Sequence, residues 1–252
     1  MKATKIISVM KRYELKFYLN EEQVSYFMDK ILEYMAPDEH GLTTVASLYF
    51  DTPDYRLINK SVEKPKFKEK LRLRSYGLAT EESLTFLEIK RKYNGVVYKR
   101  RIPLLEKDAI NLIAHKGKHS DDQIGRELEF FIEKYPNLEP KYLIISDRIA
   151  YRQEESDLRV TIDLNPRYRV NDLNLHTSLE GSPLLEKGGA ILEIKVQFAI
   201  PMWLTELLSK GKIYQTSFSK VGAAHKKEYK NNESISDAIK NRIKGEEYGF
   251  TI

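Results

Sequence analysis

Stretches in which charged and apolar residues alternate one by one constrain this chain more than any other feature. Between Lys11 and Leu19, Tyr13, Leu15, Phe17 and Leu19 interleave with Arg12, Glu14, Lys16 and Tyr18. Side chains two apart share one face of a strand, so this pattern is a strand with one apolar and one charged face. The same reasoning places strands at 45–51, 70–76, 84–93, 96–103, 143–152, 158–164 and 190–198. Asn94-Gly95 is a two-residue hairpin turn between two of them.

Helical periodicity appears only between these strands. Asn20 with Gln23 forms a capping box ahead of an apolar stripe of Val24, Phe27, Met28, Ile31, Leu32 and Met35. Further helices are expected at 106–116, 121–135, 201–210 and 234–244. No repeat, linker or low-complexity segment interrupts the chain, so residues 1–252 are expected to form a single domain. About eight antiparallel strands with helices inserted irregularly indicate an α+β protein, and closure into an eight-stranded β-barrel with peripheral helices would leave no free edges.

Sorting each strand by parity gathers the cations. Lys70, Arg72 and Arg74 share a face, as do Glu88, Lys90 and Lys92; Lys99 goes with Arg101, Arg148 with Arg152, Arg159 with Asp163, and Glu193 with Lys195. A merely solvated face would mix Thr, Ser, Gln, Glu and Lys, whereas these positions are mainly Arg and Lys. Crowded like charges repel, so such a face is expected where an anionic ligand relieves the repulsion. Arg supplies planar two-pronged contacts to phosphate and Lys a mobile point charge. The pattern Glu-x-Lys recurs at Glu14/Lys16, Glu88/Lys90 and Glu193/Lys195. These sparse carboxylates could hold Mg²⁺ or Mn²⁺ together with phosphate oxygens and water.

Composition narrows the alternatives. The 252 residues contain no Cys, which excludes a disulfide scaffold, a cysteine nucleophile, a zinc ribbon and an iron–sulfur site. No run approaches the length of a membrane span, and Ile6, Ile7, Val9 and Met10 are too few for a signal peptide, so a cytoplasmic protein is expected. The five His are dispersed, and His115 and His119 are read as surface residues. Asp51 is read as a strand-end structural residue and Trp203 as a core anchor.

The ordered motifs resemble the catalytic domain of the vacuolar transporter chaperone (VTC) family, the polyphosphate polymerase branch of the CYTH-like triphosphate tunnel metalloenzymes. They are Arg12-Tyr13-Glu14-Leu15-Lys16, Leu48-Tyr49-Phe50-Asp51-Thr52-Pro53, Arg72-Leu73-Arg74, Leu87-Glu88-Ile89-Lys90, Tyr98-Lys99-Arg100-Arg101, Asp147-Arg148, Arg159-Val160-Thr161-Ile162-Asp163, Leu192-Glu193-Ile194-Lys195 and Phe218-Ser219-Lys220. The resemblance implies an eight-stranded tunnel binding a triphosphate and a growing polyphosphate chain. It assigns phosphate contacts to Lys16, Arg72, Arg74, Lys90, Arg148, Arg159 and Lys220, and a divalent metal (Mn²⁺ or Mg²⁺) to Glu193. Parity adds Arg12, Lys92, Lys99, Arg101, Arg152 and Lys195 to the substrate face, and Glu14 and Glu88 to the candidate metal ligands. Hydrolytic members of the superfamily carry Glu-x-Glu-x-Lys on the first strand. Here Arg12 replaces the first Glu, which favours retaining a phosphate chain over activating water.

The expected activity is transfer of the ATP γ-phosphoryl group to a polyphosphate end. Triphosphate hydrolysis and a non-catalytic polyphosphate-binding module are the alternatives. A membrane-protein partner for the product is allowed for, with no transmembrane segment in the chain itself. Nucleic acid is not an expected partner, because the aromatic residues fall mostly on the core-facing parity. Thirteen cations and four acids are assigned to the tunnel face. The remaining 33 acids then exceed the remaining 29 cations, so the formal +5 of the chain belongs to a cavity rather than to its surface.

Overall fold

The computed structural model describes residues 13–63, 65–94, 96–115, 122–153 and 156–230. Arg12, Gly95, His119 and the helix expected at 234–244 lie outside them. Eight long strands form one antiparallel ladder: β1 (Tyr13–Leu19), β2 (Ala36–Asp51), β3 (Phe67–Tyr76), β4 (Leu84–Tyr93), β5 (Val96–Leu105), β6 (Glu139–Arg152), β7 (Arg159–Arg169) and β9 (Ala190–Val196). Two-residue strands β8 (Ser182–Pro183) and β10 (Gln215–Thr216) pair with β7 and β1. The order along the ladder is β10-β1-β9-β7-β6-β2-β3-β4-β5.

Most strands turn an apolar side outward, under helices. Leu48, Leu71, Leu73, Leu87 and Ile89 pack against Leu112 and Ile113 of α3 (Glu106–His115) and Leu128, Phe131 and Ile132 of α4 (Gln123–Lys134). Phe17, Leu19, Ile162, Leu192 and Ile194 pack against Phe27 and Ile31 of α1 (Glu21–Ile31) and Leu204, Leu207 and Leu208 of α5 (Met202–Lys210). Burying each such side chain contributes about 1.5–3 kcal/mol. The two larger core clusters therefore lie outside the sheet, and the charged faces converge within it beside a third, smaller cluster of Tyr49, Tyr142, Ile144 and Tyr168.

The sheet curls without completing its ladder. β1 and β5, the ends of the eight-strand series, come side by side, yet among the described residues no strand pairing joins them. The outer edge of β1 is already taken at Lys16 and Phe17 by β10. Closure falls instead to side chains: Lys90 of β4 meets Glu14 of β1 at 2.7 Å.

Local chemistry sets the element ends. The α1 capping box forms as the sequence predicts: Asn20 Oδ1 accepts from the Gln23 N–H at 2.9 Å, and Gln23 Oε1 accepts from the Asn20 N–H at 3.1 Å. The Gln23 amide also donates to the carbonyls of Gly211 and Lys212, tying α1 to the end of α5. Trp203 of α5 is partly buried and stacks on Tyr34, with ring centroids 4.4 Å apart.

Two helices go beyond the sequence reading, α2 (Arg56–Val62) and a helix over 220–230, here α6. The residue ahead of α2, Tyr55, has φ 57° and offers no side-chain cap. Asp51 does that work from the end of β2, as its carboxylate accepts from the N–H groups of Thr52, Leu57 and Ile58 at 2.7–2.9 Å. Asp51→Ala is expected to lower stability by about 2 kcal/mol through loss of this buried cap. An unchanged urea-unfolding midpoint would contradict that role.

No helix among the described residues is long and apolar enough to cross a membrane.

Candidate functional site

The strand register lines the cations up in rows across neighbouring strands. Lys70, Lys90 and Lys99 stand abreast on β3, β4 and β5, and in the next row Glu88 stands between Arg72 and Arg101. On the opposite wall Lys16, Glu193 and Thr161 are abreast on β1, β9 and β7. The following row there is Glu14, Lys195, Arg159 and Arg152. Like charges directly opposed across strands destabilise a sheet, so these rows need counterions.

Four carboxylates supply them from within. Glu88, wholly buried, binds Arg72 at 2.7 Å and Lys99 at 2.6 Å, with Arg74 and Arg101 each at 3.9 Å. Asp163, also wholly buried, takes a two-pronged contact from Arg148 at 2.6 and 2.7 Å and a second cation, Lys220. Glu193 meets Lys16 at 3.0 Å, Lys195 at 3.1 Å and Lys220 at 3.8 Å. Glu14 holds Lys90.

Burial alone would push all four carboxyls up, but the cations win. Arg74, Arg72 and Lys99 hold Glu88 well below the ordinary carboxylate range, and Lys16, Lys195 and Lys220 do the same for Glu193. Asp163 is lowered by Arg148 and Lys220, and Glu14 falls to about 2 beside Lys90. The cations left over-crowded respond the other way. Burial, with Lys16 and Lys90 nearby, lowers Lys70 to about 7, and burial with Arg74 and Arg72 lowers Lys99 to about 8. The interior thus holds more positive charge than its own carboxylates can satisfy.

A family model described as the VTC domain matches residues 11–229. The chain belongs to the VTC domain family. Among solved structures it resembles a candidate adenylate cyclase from Bacillus halodurans, with TM-score 0.54, 14% identity, and coverage of 84% of this chain and 96% of that one. It also resembles a candidate adenylyl cyclase from Hippeastrum, whose dominant activity is that of a triphosphatase, with TM-score 0.50, 17% identity, and coverage of 84% and 93%. At these identities the likeness is one of fold, the tunnel-like antiparallel barrel. No curated protein matches the chain.

Within the VTC domain, the structure brings Lys16, Arg72, Arg74, Lys90, Lys99, Arg101, Arg148, Lys195 and Lys220 into ion pairs with these four acids. Lys92 is half-buried on the same face of β4, while Arg152 and Arg159 are exposed where β6 ends and β7 begins. Arg12 lies outside the described residues. Of the three glutamates expected at a metal, Glu88 stands apart among its four cations, while Glu14 and Glu193 sit close enough to oppose each other's ionisation.

Among the described residues no three His, Asp or Glu form a metal cage. The donors do fit a hard cation that arrives with phosphate and takes only one or two carboxylates. The Thr161 hydroxyl, buried and abreast of Glu193, has no hydrogen-bond partner there, leaving a polar position open beside that carboxylate.

Sequence reasoning missed several groups of this interior: Lys70 as a site residue, and Ser47, Tyr49, Phe86, Thr161 and Ser219. Arg101 lies 3.4 Å over the Phe86 ring, and Ser47 accepts from Arg74. Lys70 Nζ donates to Ser219 Oγ at 2.8 Å just ahead of α6. Tyr49 and Phe86 are exceptions to the expectation that the aromatics lie mostly on the core-facing parity. Phe86 shares its parity with Glu88 and could have been found that way.

Proposed function

We propose that this VTC domain is a polyphosphate polymerase that transfers the γ-phosphoryl group of ATP to the end of a phosphate chain held in the cationic interior, releasing ADP. The observation that carries the reading is the paired state of the interior carboxylates. All four are ionised and engaged by cations, so none is poised to take a proton from water. A terminal phosphate needs no such base, because its attacking oxygen is already anionic. Among the described residues the histidines with placed side chains, His40, His176 and His225, stand outside the cationic rows.

Phosphoryl transfer is catalysed mainly by positioning and charge neutralisation. Arg72, Arg74, Lys99 and Arg101 form one cationic wall around Glu88, suited to a triphosphate through the two-pronged geometry of arginine. Lys16, Lys195, Arg148 and Lys220 form the other. Entry of the chain replaces carboxylate counterions with phosphate oxygens, so binding exchanges ion pairs rather than creating them from solvated ions. Glu193 and Glu14 would hold a divalent cation, which supplies Lewis-acid neutralisation of phosphate oxygens.

Incubation of pure protein with ATP and Mn²⁺ is expected to give ADP together with long phosphate polymers on a gel. ADP with inorganic phosphate and no polymer would replace this reading with triphosphate hydrolysis. Tripolyphosphate binding without turnover would make the domain a binding module.

A further inference from the structure

Tyr49 occupies an unusual position in this interior. It lies opposite Arg72 in the register of β2 and β3, and its hydroxyl oxygen accepts from Arg72 Nη1 at 3.0 Å. Its ring is seated in an apolar cluster with Tyr142 and Ile144 of β6, Ile58 of α2 and Val221 and Ala224 of α6. That packing fixes where the hydroxyl points, and the residue is only 8% exposed.

The phenolic proton has no acceptor among the described residues. The groups facing it from β3 are Lys70, Arg72 and Arg74, and Lys16 acts on it from β1. All are donors. Glu88 of β4 is engaged by Arg72, and on the remaining side the Tyr142 hydroxyl of β6 is engaged with Nδ1 of His225 on α6. A buried O–H with no partner costs about 1–3 kcal/mol, and an anionic oxygen entering among these cations would satisfy it.

We infer that Tyr49 is a further substrate-contacting residue, donating its phenolic proton to an oxygen of the bound phosphate chain while accepting from Arg72. The inference rests on the phosphate-binding reading of the interior and adds a neutral donor to an otherwise cationic set. It also carries a pH dependence. Burial would raise the tyrosine's pKa, but Arg72, Lys70 and Arg74 outweigh it and bring it down to about 7. Above that pH the donor is lost and a negative charge faces the phosphates, so this contact is present below pH 7 and turns repulsive above it.

Calorimetric titration of inorganic tripolyphosphate into wild type and Tyr49→Phe, with chelator present, from pH 6 to pH 9, tests this directly. The phenylalanine keeps the ring in its cluster. Ionisation of tripolyphosphate affects both proteins alike, whereas Lys70 is raised by Tyr49, so the ratio of their affinities reads Tyr49 together with its effect on Lys70. At pH 6 the variant is expected to bind about tenfold more weakly, the effect of one hydrogen bond to an ionised group. By pH 9 the gap is expected to close or reverse. Equal affinity at pH 6, or a ratio constant across the range, overturns the inference while leaving the tunnel reading intact. Wild type that takes up no tripolyphosphate at any pH overturns both.

Discussion

Replacing Arg72 and Arg74 together with alanine is expected to remove measurable tripolyphosphate binding. Each guanidinium hydrogen-bonding an ionised oxygen contributes about 1.5–3 kcal/mol, so the pair accounts for roughly 10²- to 10⁴-fold in affinity. A second effect must be separated from the first. Glu88 is wholly buried against Arg72, and stripping one partner from a buried ion pair costs about 3–5 kcal/mol of stability. Lys99 at 2.6 Å remains to soften that loss. Adding Glu88→Gln to the double variant removes the stranded charge, so the triple variant is expected to regain thermal stability but not binding. Changing both arginines to lysine keeps the charge without the planar fork, and intermediate affinity is expected. Undiminished binding by calorimetry in the folded triple variant would remove the β3 arginines from the site.

The strands with contrasting faces were legible because each buries one side under helices and turns the other inward. Thus β4 (Leu84–Tyr93) was placed residue for residue, and the cations of β1, β3, β4, β5 and β9 fell on the correct face by parity alone. β2 resisted because it runs through the middle of the ladder. From Val45 to Asp51 it is buried on both faces, so its run shows no polarity alternation to sort. Register shifts at Pro37/Leu42 and Tyr49/Phe50 break the parity count further. That is why Ser47 and Tyr49 went unseen beside Arg74 and Arg72. α2 was hidden for another reason: its cap comes from Asp51, several residues upstream, and its first turn carries no acidic residue. Charge pairing was the least legible property, since alternation gives the face of Glu88 but not which cations enclose it.

Glu193→Gln is expected to move two measurements in opposite directions. Its carboxylate neutralises Lys16, Lys195 and Lys220 and is itself one of the groups proposed to hold the metal. In chelator, a unit charge removed at an ion-pair separation of about 4 Å is worth about 1 kcal/mol under water-like screening, so tripolyphosphate is expected to bind about fivefold more tightly. With ATP and Mn²⁺, polymer synthesis should fall by about 10²-fold, the scale on which a preorganised electrostatic group acts. The unliganded variant loses its counterion, so its melting temperature should drop, and tripolyphosphate should raise it by more than in wild type because tighter binding stabilises the folded state. A variant weakened in both affinity and synthesis would mark Glu193 as a scaffold for the lysines rather than a metal ligand. Unchanged synthesis would remove it from the chemistry altogether. The opposed signs follow from one property of this interior: its acids occupy the very cations that the proposed phosphate chain would engage, so each would have to release them for the chain to be held.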